Sequence, residues 1–214
     1  MRVTVRHLKD CGTGAGGFQP GNTCASGGGG GGGSSSAGSA DRQSRISAAD
    51  NPKTPYATLA ALSKDDDWLV RSYVARNPEA PWSALDKLSE DKSEDVRYWV
   101  ASNPQTPHGP LVGLSKDERP LVRNAVAKNP NTSSALLVRL SKDRDWGVRV
   151  GVADNPNTPP DTLVELSRDG DKKVRLEVAR NPKTPLATLT ELAKDDDRDV
   201  RYWVAFNTRS RQPK

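Results

Sequence analysis

Residues 51–76 read NPKTPYATLAALSKDDDWLVRSYVAR, and residues 181–206 read NPKTPLATLTELAKDDDRDVRYWVAF. The same register runs between them. Asn51, Asn77, Asn103, Asn129, Asn155, Asn181 and Asn207 are spaced by 26 residues without an insertion, which makes six full repeats. A fixed period of this length defines a stack of identical units. In every repeat positions 9 and 12 are Leu, position 15 is Asp, 20 is Val, 21 is Arg, 24 is Val and 25 is Ala.

Each unit reads as two short helices. Thr54, Thr106, Thr132, Thr158 and Thr184 occupy position 4 as expected N-caps, and position 5 is Pro in five of six repeats, suited to a first helical turn. The two leucines give this element one apolar edge. Their spacing of three also suits a 3₁₀ turn, and Pro110 and Pro160 intrude, so α and 3₁₀ both stay open here. The second element starts from Asp67, Ser93, Asp145, Asp171 or Asp197 at position 17, with Pro120 following in the one repeat that lacks such a cap. Its two valines, four apart, share one face, and Asn-Pro ends it because the residue before Pro is pushed out of the α region. Two Leu and two Val cannot sustain a fold alone, so neighbours must bury one another's stripe, as in a solenoid.

Around the repeats lie four other segments. Residues 1–26 hold both cysteines, Cys11 and Cys24; 27–40 are a Gly/Ser linker opening with seven glycines; 41–50 form a worn half-repeat keeping Arg45 and Ala49 in register; and 208–214 are a basic tail. The whole chain has 214 residues and a net charge of +5, but residues 41–207 carry 26 basic and 26 acidic side chains. The positive excess therefore belongs to the ends. Only 34% of residues are hydrophobic and mean hydropathy is -0.74, which suits the thin core of a solenoid. No apolar run suits a membrane span or a secretory signal, so the expectation is a soluble cytoplasmic protein.

The pattern NPxTPxxxLxxLxxDxxxxVRxxVAx over residues 51–207 resembles the variant leucine-rich repeat (LRV), and more loosely HEAT-like repeats. The resemblance implies an all-α, right-handed superhelical solenoid in which α-helices alternate with 3₁₀-helices, serving as a scaffold or interaction surface. Some relatives carry an iron–sulfur cluster on N-terminal cysteines. Two cysteines cannot supply four ligands, so that function is not carried over.

Chemistry-bearing patterns are few. Gly12, Gly14 and Gly17 spell a dinucleotide fingerprint, but the following Phe18-Gln19-Pro20-Gly21 breaks any helix and no βαβ unit follows. His7, Cys11 and Cys24 lack a fourth zinc ligand. His108 is the only histidine of the repeats and stands at a variable position. The reading is therefore no catalytic residue, no metal, no cofactor and no small-molecule substrate.

Asp65/Arg71, Asp91/Arg97, Asp117/Arg123, Asp143/Arg149, Asp169/Arg175 and Asp195/Arg201 recur as pairs. They read as a structural ladder, each Asp holding a turn and pairing with an Arg of its own or an adjacent repeat, because matched charges leave little field for a polyanion. Positions 22 and 23 bear Tyr73, Tyr98, Trp99, Leu176, Tyr202 and Trp203. With the valines inward, position 22 is expected to point away and 23 to lie at the margin. These side chains are then either a partner-binding surface or rings that cover seams between repeats. Trp68 and Trp146 are expected to shield helix starts. Binding of another protein is the leading functional expectation; nucleic-acid binding through the Arg ladder and basic tails is the alternative.

Overall fold

In the computed structural model residues 35–211 are described, and they belong to one compact unit, Ser35–Lys214. The readings placed on His7, Cys11, Gly12, Gly14, Gly17 and Cys24 lie outside the described residues. Thirteen helices and no strand are found among the residues described. A long helix, α1 (Ser35–Asp50), opens the unit, beginning inside the stretch read as linker. Six pairs come after it: α2 (Tyr56–Leu62) with α3 (Trp68–Arg76), α4 (Trp82–Leu88) with α5 (Glu94–Ser102), and α6 (His108–Leu114) with α7 (Pro120–Lys128). Then come α8 (Ser134–Leu140) with α9 (Trp146–Asp154), α10 (Pro160–Leu166) with α11 (Lys172–Arg180), and α12 (Leu186–Leu192) with α13 (Arg198–Ser210).

The second helices stack on one another along their lengths, with α1 as the first member of that row, while the seven-residue first helices form the other layer. The recurrent apolar positions build the core between them. Leu59, Val70, Val74 and Ala75 of the first repeat are fully buried, as are their counterparts through Leu189 and Val200 in the sixth. Each fully buried Leu or Val contributes about 1.5–3 kcal/mol relative to exposure, gained only when the neighbouring unit is present.

The first element of each repeat is an α-helix, not a 3₁₀-helix. The tighter geometry is confined to its ends. At the start Pro55 O accepts from both Thr58 N (2.9 Å) and Leu59 N (3.1 Å), and past the end Lys64 N and Asp65 N reach Ala61 O and Leu62 O in i→i+3 bonds. The cap also differs from expectation. Pro55, not Thr54, is the N-cap residue, and the threonine side chain turns inward. Thr106, Thr132 and Thr158 are buried and donate to Val100 O, Val126 O and Val152 O at 2.5 Å, tying the loop to the preceding helix. A hydroxyl enclosed in the core gains more from a core carbonyl than from an exposed helix end.

The second helices start as expected except α5, where Ser93 stands at the N-cap without a side-chain bond to the first turn. Asp67, Asp145, Asp171 and Asp197 accept from backbone amides of the first turn, and Pro120 stands at the start of α7. Their ends follow the Asn-Pro rule with an instructive exception. Asn77, Asn103, Asn129, Asn155 and Asn181 are extended C-caps, whereas Asn207 is followed by Thr208 and α13 runs on to Ser210. Helices α7 and α9 lie close together at Gly151. A Cβ there would lie 3.0 Å from Ala127 Cβ and 3.2 Å from Asn124 O, tighter than ordinary contact, so a larger residue would require α7 to shift.

Candidate interaction surface

Two side-chain ladders run through the stack. The first is the one formed by Arg and Asp, and its pairing is between repeats. Arg71 Nε donates to Asp91 Oδ2 (2.6 Å), Arg97 to Asp117 (2.6 Å), Arg123 to Asp143 (2.7 Å), Arg149 to Asp169 (2.6 Å) and Arg175 to Asp195 (2.7 Å). Arg45 of α1 does the same to Asp65 (2.7 Å), which makes α1 the second helix of a unit before the first. Each Arg also points back into its own repeat, as where Arg123 NH1 donates to Asp117 O (2.7 Å) and Glu118 O (3.1 Å). The Asp keeps a turn role, its Oδ1 accepting from the amide two residues on. Arg201 is the last of the series: it holds the carbonyls of Asp195 and Asp196, but no carboxylate among the described residues accepts from it.

Four carboxylates of this ladder titrate low. Burial pushes Asp91, Asp143 and Asp169 upward, but hydrogen bonds from the arginine and from the following amide outweigh it and hold each below the usual carboxylate range. In Asp195 the Arg175 hydrogen bond is itself the largest influence.

The second ladder is built by the asparagines. Asn103 Nδ2 donates to Ala75 O (2.7 Å) and Asn77 O (2.9 Å), and its Oδ1 accepts from Gln105 N (2.8 Å). The same three bonds recur at Asn77, Asn129, Asn155 and Asn181, all buried. The regular spacing of Asn-Pro signalled a helix end. That the amide also ties its helix end to the end of the preceding second helix was not visible until the units were stacked.

Position 22 does not point away, contrary to expectation. Ser72 is buried, Tyr98 and Leu176 are half-buried, and the Asn124 amide donates to Gly147 O of the next repeat. In a stack a helix is covered on its core side and on both flanks, so a position opposite one valine still meets a neighbour. Tyr73, Tyr98, Trp99, Leu176 and Trp203 all pack against the core from the seams. Arg76 lies over Tyr73 and Trp99 (5.3 and 5.5 Å to the ring centroids), and Arg180 over Trp203 (4.6 Å). The Trp99 indole Nε1 is buried without an acceptor among the described residues. Of the six, only Tyr202 is exposed, at 63%.

Other aromatics stand in solvent. Tyr56 (56% exposed) and Trp82 (66%) occupy position 6 of adjacent repeats, at the starts of α2 and α4. With Pro78, Glu79, Ala80, Pro81 and Gln105 they line a cleft of about 330 Å³. The signal in the sequence was two aromatics 26 residues apart at a position where other repeats carry His108, Ser134, Pro160 and Leu186. Trp68 and Trp146 open α3 and α9 and stay partly exposed, with Lys173 Nζ 4.1 Å over the Trp146 ring. His108 is exposed at the start of α6. Among the described residues no group of three or more His, Cys, Asp or Glu could hold a metal ion, and no helix is long and apolar enough to cross a membrane.

These features define an α-helical repeat solenoid whose seams are tied by side-chain ladders. The family model for the leucine rich repeat variant matches residues 146–171 and 173–197. A solved structure described as a leucine-rich repeat variant with a novel repetitive protein structural motif is similar at 31% identity and a TM-score of 0.58. The likeness covers 76% of this chain and 64% of that one, so this chain spans less than two thirds of the matched structure. No curated protein matches this chain significantly. The chain is thus similar to the leucine rich repeat variant family: the two matched repeats are in register with the other four, and the fold is similar to that of the solved variant.

Proposed function

We propose that this chain is a non-catalytic protein-interaction module that binds a partner protein on the face of its first helices, around the Tyr56–Trp82 cleft. The observation that carries this reading is the pair of large aromatic side chains left in solvent beside two prolines and lining one cleft, in a molecule that buries most of its recurrent Leu, Val and Ala side chains. Tyr and Trp present much apolar area at little cost in side-chain entropy, and such groups dominate binding energy in protein interfaces. Nucleic-acid binding loses its main support, because the ladder arginines from Arg45 to Arg175 spend their donors on carboxylates.

The experiment is affinity capture by the full chain from a lysate, in parallel with the double variant Tyr56→Ala/Trp82→Ala. The reading expects a defined set of proteins that resists nuclease and is lost with the double variant. Capture that nuclease abolishes, or that the double variant retains in full, overturns it.

A further inference from the structure

The contacts between repeats have a direction. Positions 18, 21, 22, 25 and 26 of each second helix face the next unit: Trp146 meets Lys173, Arg71 meets Asp91, Asn124 meets Gly147, and Arg76 meets Trp99. The alanine at position 25 is fully buried in Ala49, Ala75, Ala101, Ala127, Ala153 and Ala179. On α13 the same positions are Arg198, Arg201, Tyr202, Ala205 and Phe206, and all five are exposed. Tyr202 and Phe206 expose 63% and 57% of their surface. The continued helix adds Arg209, also exposed, to the same side, while Arg211 folds back onto Thr184 O and Pro182 O. Arg201 is held in the orientation of the other ladder arginines by the carbonyls of Asp195 and Asp196, and no carboxylate among the described residues accepts from it.

We propose that this end face of α13 docks a helix of another protein that carries an aspartate just before its first turn and a small-residue apolar flank, in effect the next repeat supplied in trans. The site is separate from the Tyr56–Trp82 cleft and stands or falls without it. Charge complementarity selects the occupant. Arg201 and Arg209, with Arg198 already 4.0 Å from the Asp199 carboxylate, edge an apolar strip of Tyr202, Ala205 and Phe206, so the partner must bring the negative group. A second copy of this chain does not fit. Docked head to tail, it would place Ser39 where the ladder needs a carboxylate, and Gln43, Ser44 and Ser47 against the rings. Docked tail to tail, it would set the three arginines against their own copies.

A synthetic peptide with the sequence of residues 143–155, DRDWGVRVGVADN, serves as probe, because in this molecule that segment makes the equivalent contacts onto α7. It is stapled between positions 146 and 150, which face away from the docking side, to hold it helical. Fluorescence anisotropy with the full chain should show saturable binding. Ala205→Glu should weaken it about tenfold or more, Arg201→Gln severalfold, and Asp143→Asn in the peptide to a similar degree. Both variant positions are exposed, and circular dichroism verifies that the fold is kept. Absence of saturable binding up to about 1 mM, or equal binding by wild type and both chain variants, overturns the proposal. So does self-association of the full chain that Ala205→Glu dissolves, since that outcome assigns the face to a second copy.

Discussion

Arg123 grips Asp143 with two parallel bonds, Nε to Oδ2 at 2.7 Å and NH2 to Oδ1 at 2.9 Å, while its remaining NH1 holds Asp117 O and Glu118 O in the turn between the two helices of its own repeat. Arg123 is only 6% exposed, so one guanidinium joins two units and leaves few of its donors to water. Bidentate geometry of this kind fixes register as well as adding energy.

Asp143→Asn leaves Arg123 charged, enclosed and short of its counter-ion. Breaking one partner of a buried pair is expected to cost about 2–4 kcal/mol. Urea unfolding of the variant beside wild type measures it. A change under half a kilocalorie would mean that the ladder only follows the packing.

Acid should weaken the stack through the same carboxylates. Asp91, Asp143, Asp169 and Asp195 have folded-state values below the usual range, so the stability they give is complete above the unfolded value near pH 3.9 and is lost as pH falls through the folded one. Burial raises Glu177 and Asp95, which act in the opposite sense, but they are two against six, since hydrogen bonds from Arg42 and Lys172 lower Asp67 and Asp197 as well. The thermal midpoint should be level from neutrality to about pH 5 and fall steeply below about pH 4. A midpoint that rises on acidification contradicts the assignment.

Asn129 separates two ways of losing a hydrogen bond. Asn129→Ala removes its bonds to Ala101 O (2.7 Å), Asn103 O (2.9 Å) and Asn131 N (2.8 Å), at a cost of about 2–4 kcal/mol. Asn129→Asp keeps the shape but sets a carboxylate oxygen against two carbonyls in a buried place. At pH 7 it should therefore destabilise at least as much as the alanine. Denaturation at pH 7 of both variants tests the order.

Repeat two offers a gain. Its position 4 is Ala80, nearly buried, where the other five repeats have a threonine whose hydroxyl reaches the preceding helix. Ala80→Thr should supply the same bond to Val74 O and add about 1 kcal/mol of stability. A loss of stability in thermal unfolding would show that the surroundings of Ala80 do not accommodate the larger side chain.

Much of the molecule was legible in the chain. Leu59 and Val70 recur at intervals that fit one face of a helix, Asp67 caps the helix that begins at Trp68, and Pro52 after Asn51 stops the helix that ends at Asp50. All of this is local stereochemistry, which the sequence states directly. Thr106 misled, because its residue type suits a helix cap and only the packed loop shows that its hydroxyl is enclosed beside Val100 O. Tyr98 misled for a related reason: helical periodicity tells which side of α5 meets the core, but not which sides meet α3 and α7.

By itself, then, the sequence determined the unit, its length, its two helices and the number of times it recurs. Only the tertiary structure decided what lies between units: that each Arg from Arg45 to Arg175 pairs forward by 20 residues, that Asn amides cross the seam to the preceding second helix, that half of the aromatic rings of the second helices fill seams, and that Arg201, Tyr202 and Phe206 meet no further repeat among the described residues. The reason is geometric. Periodicity of a single helix carries one direction of burial, whereas a stacked helix is buried in three, and the other two are fixed by how the neighbouring repeats lie.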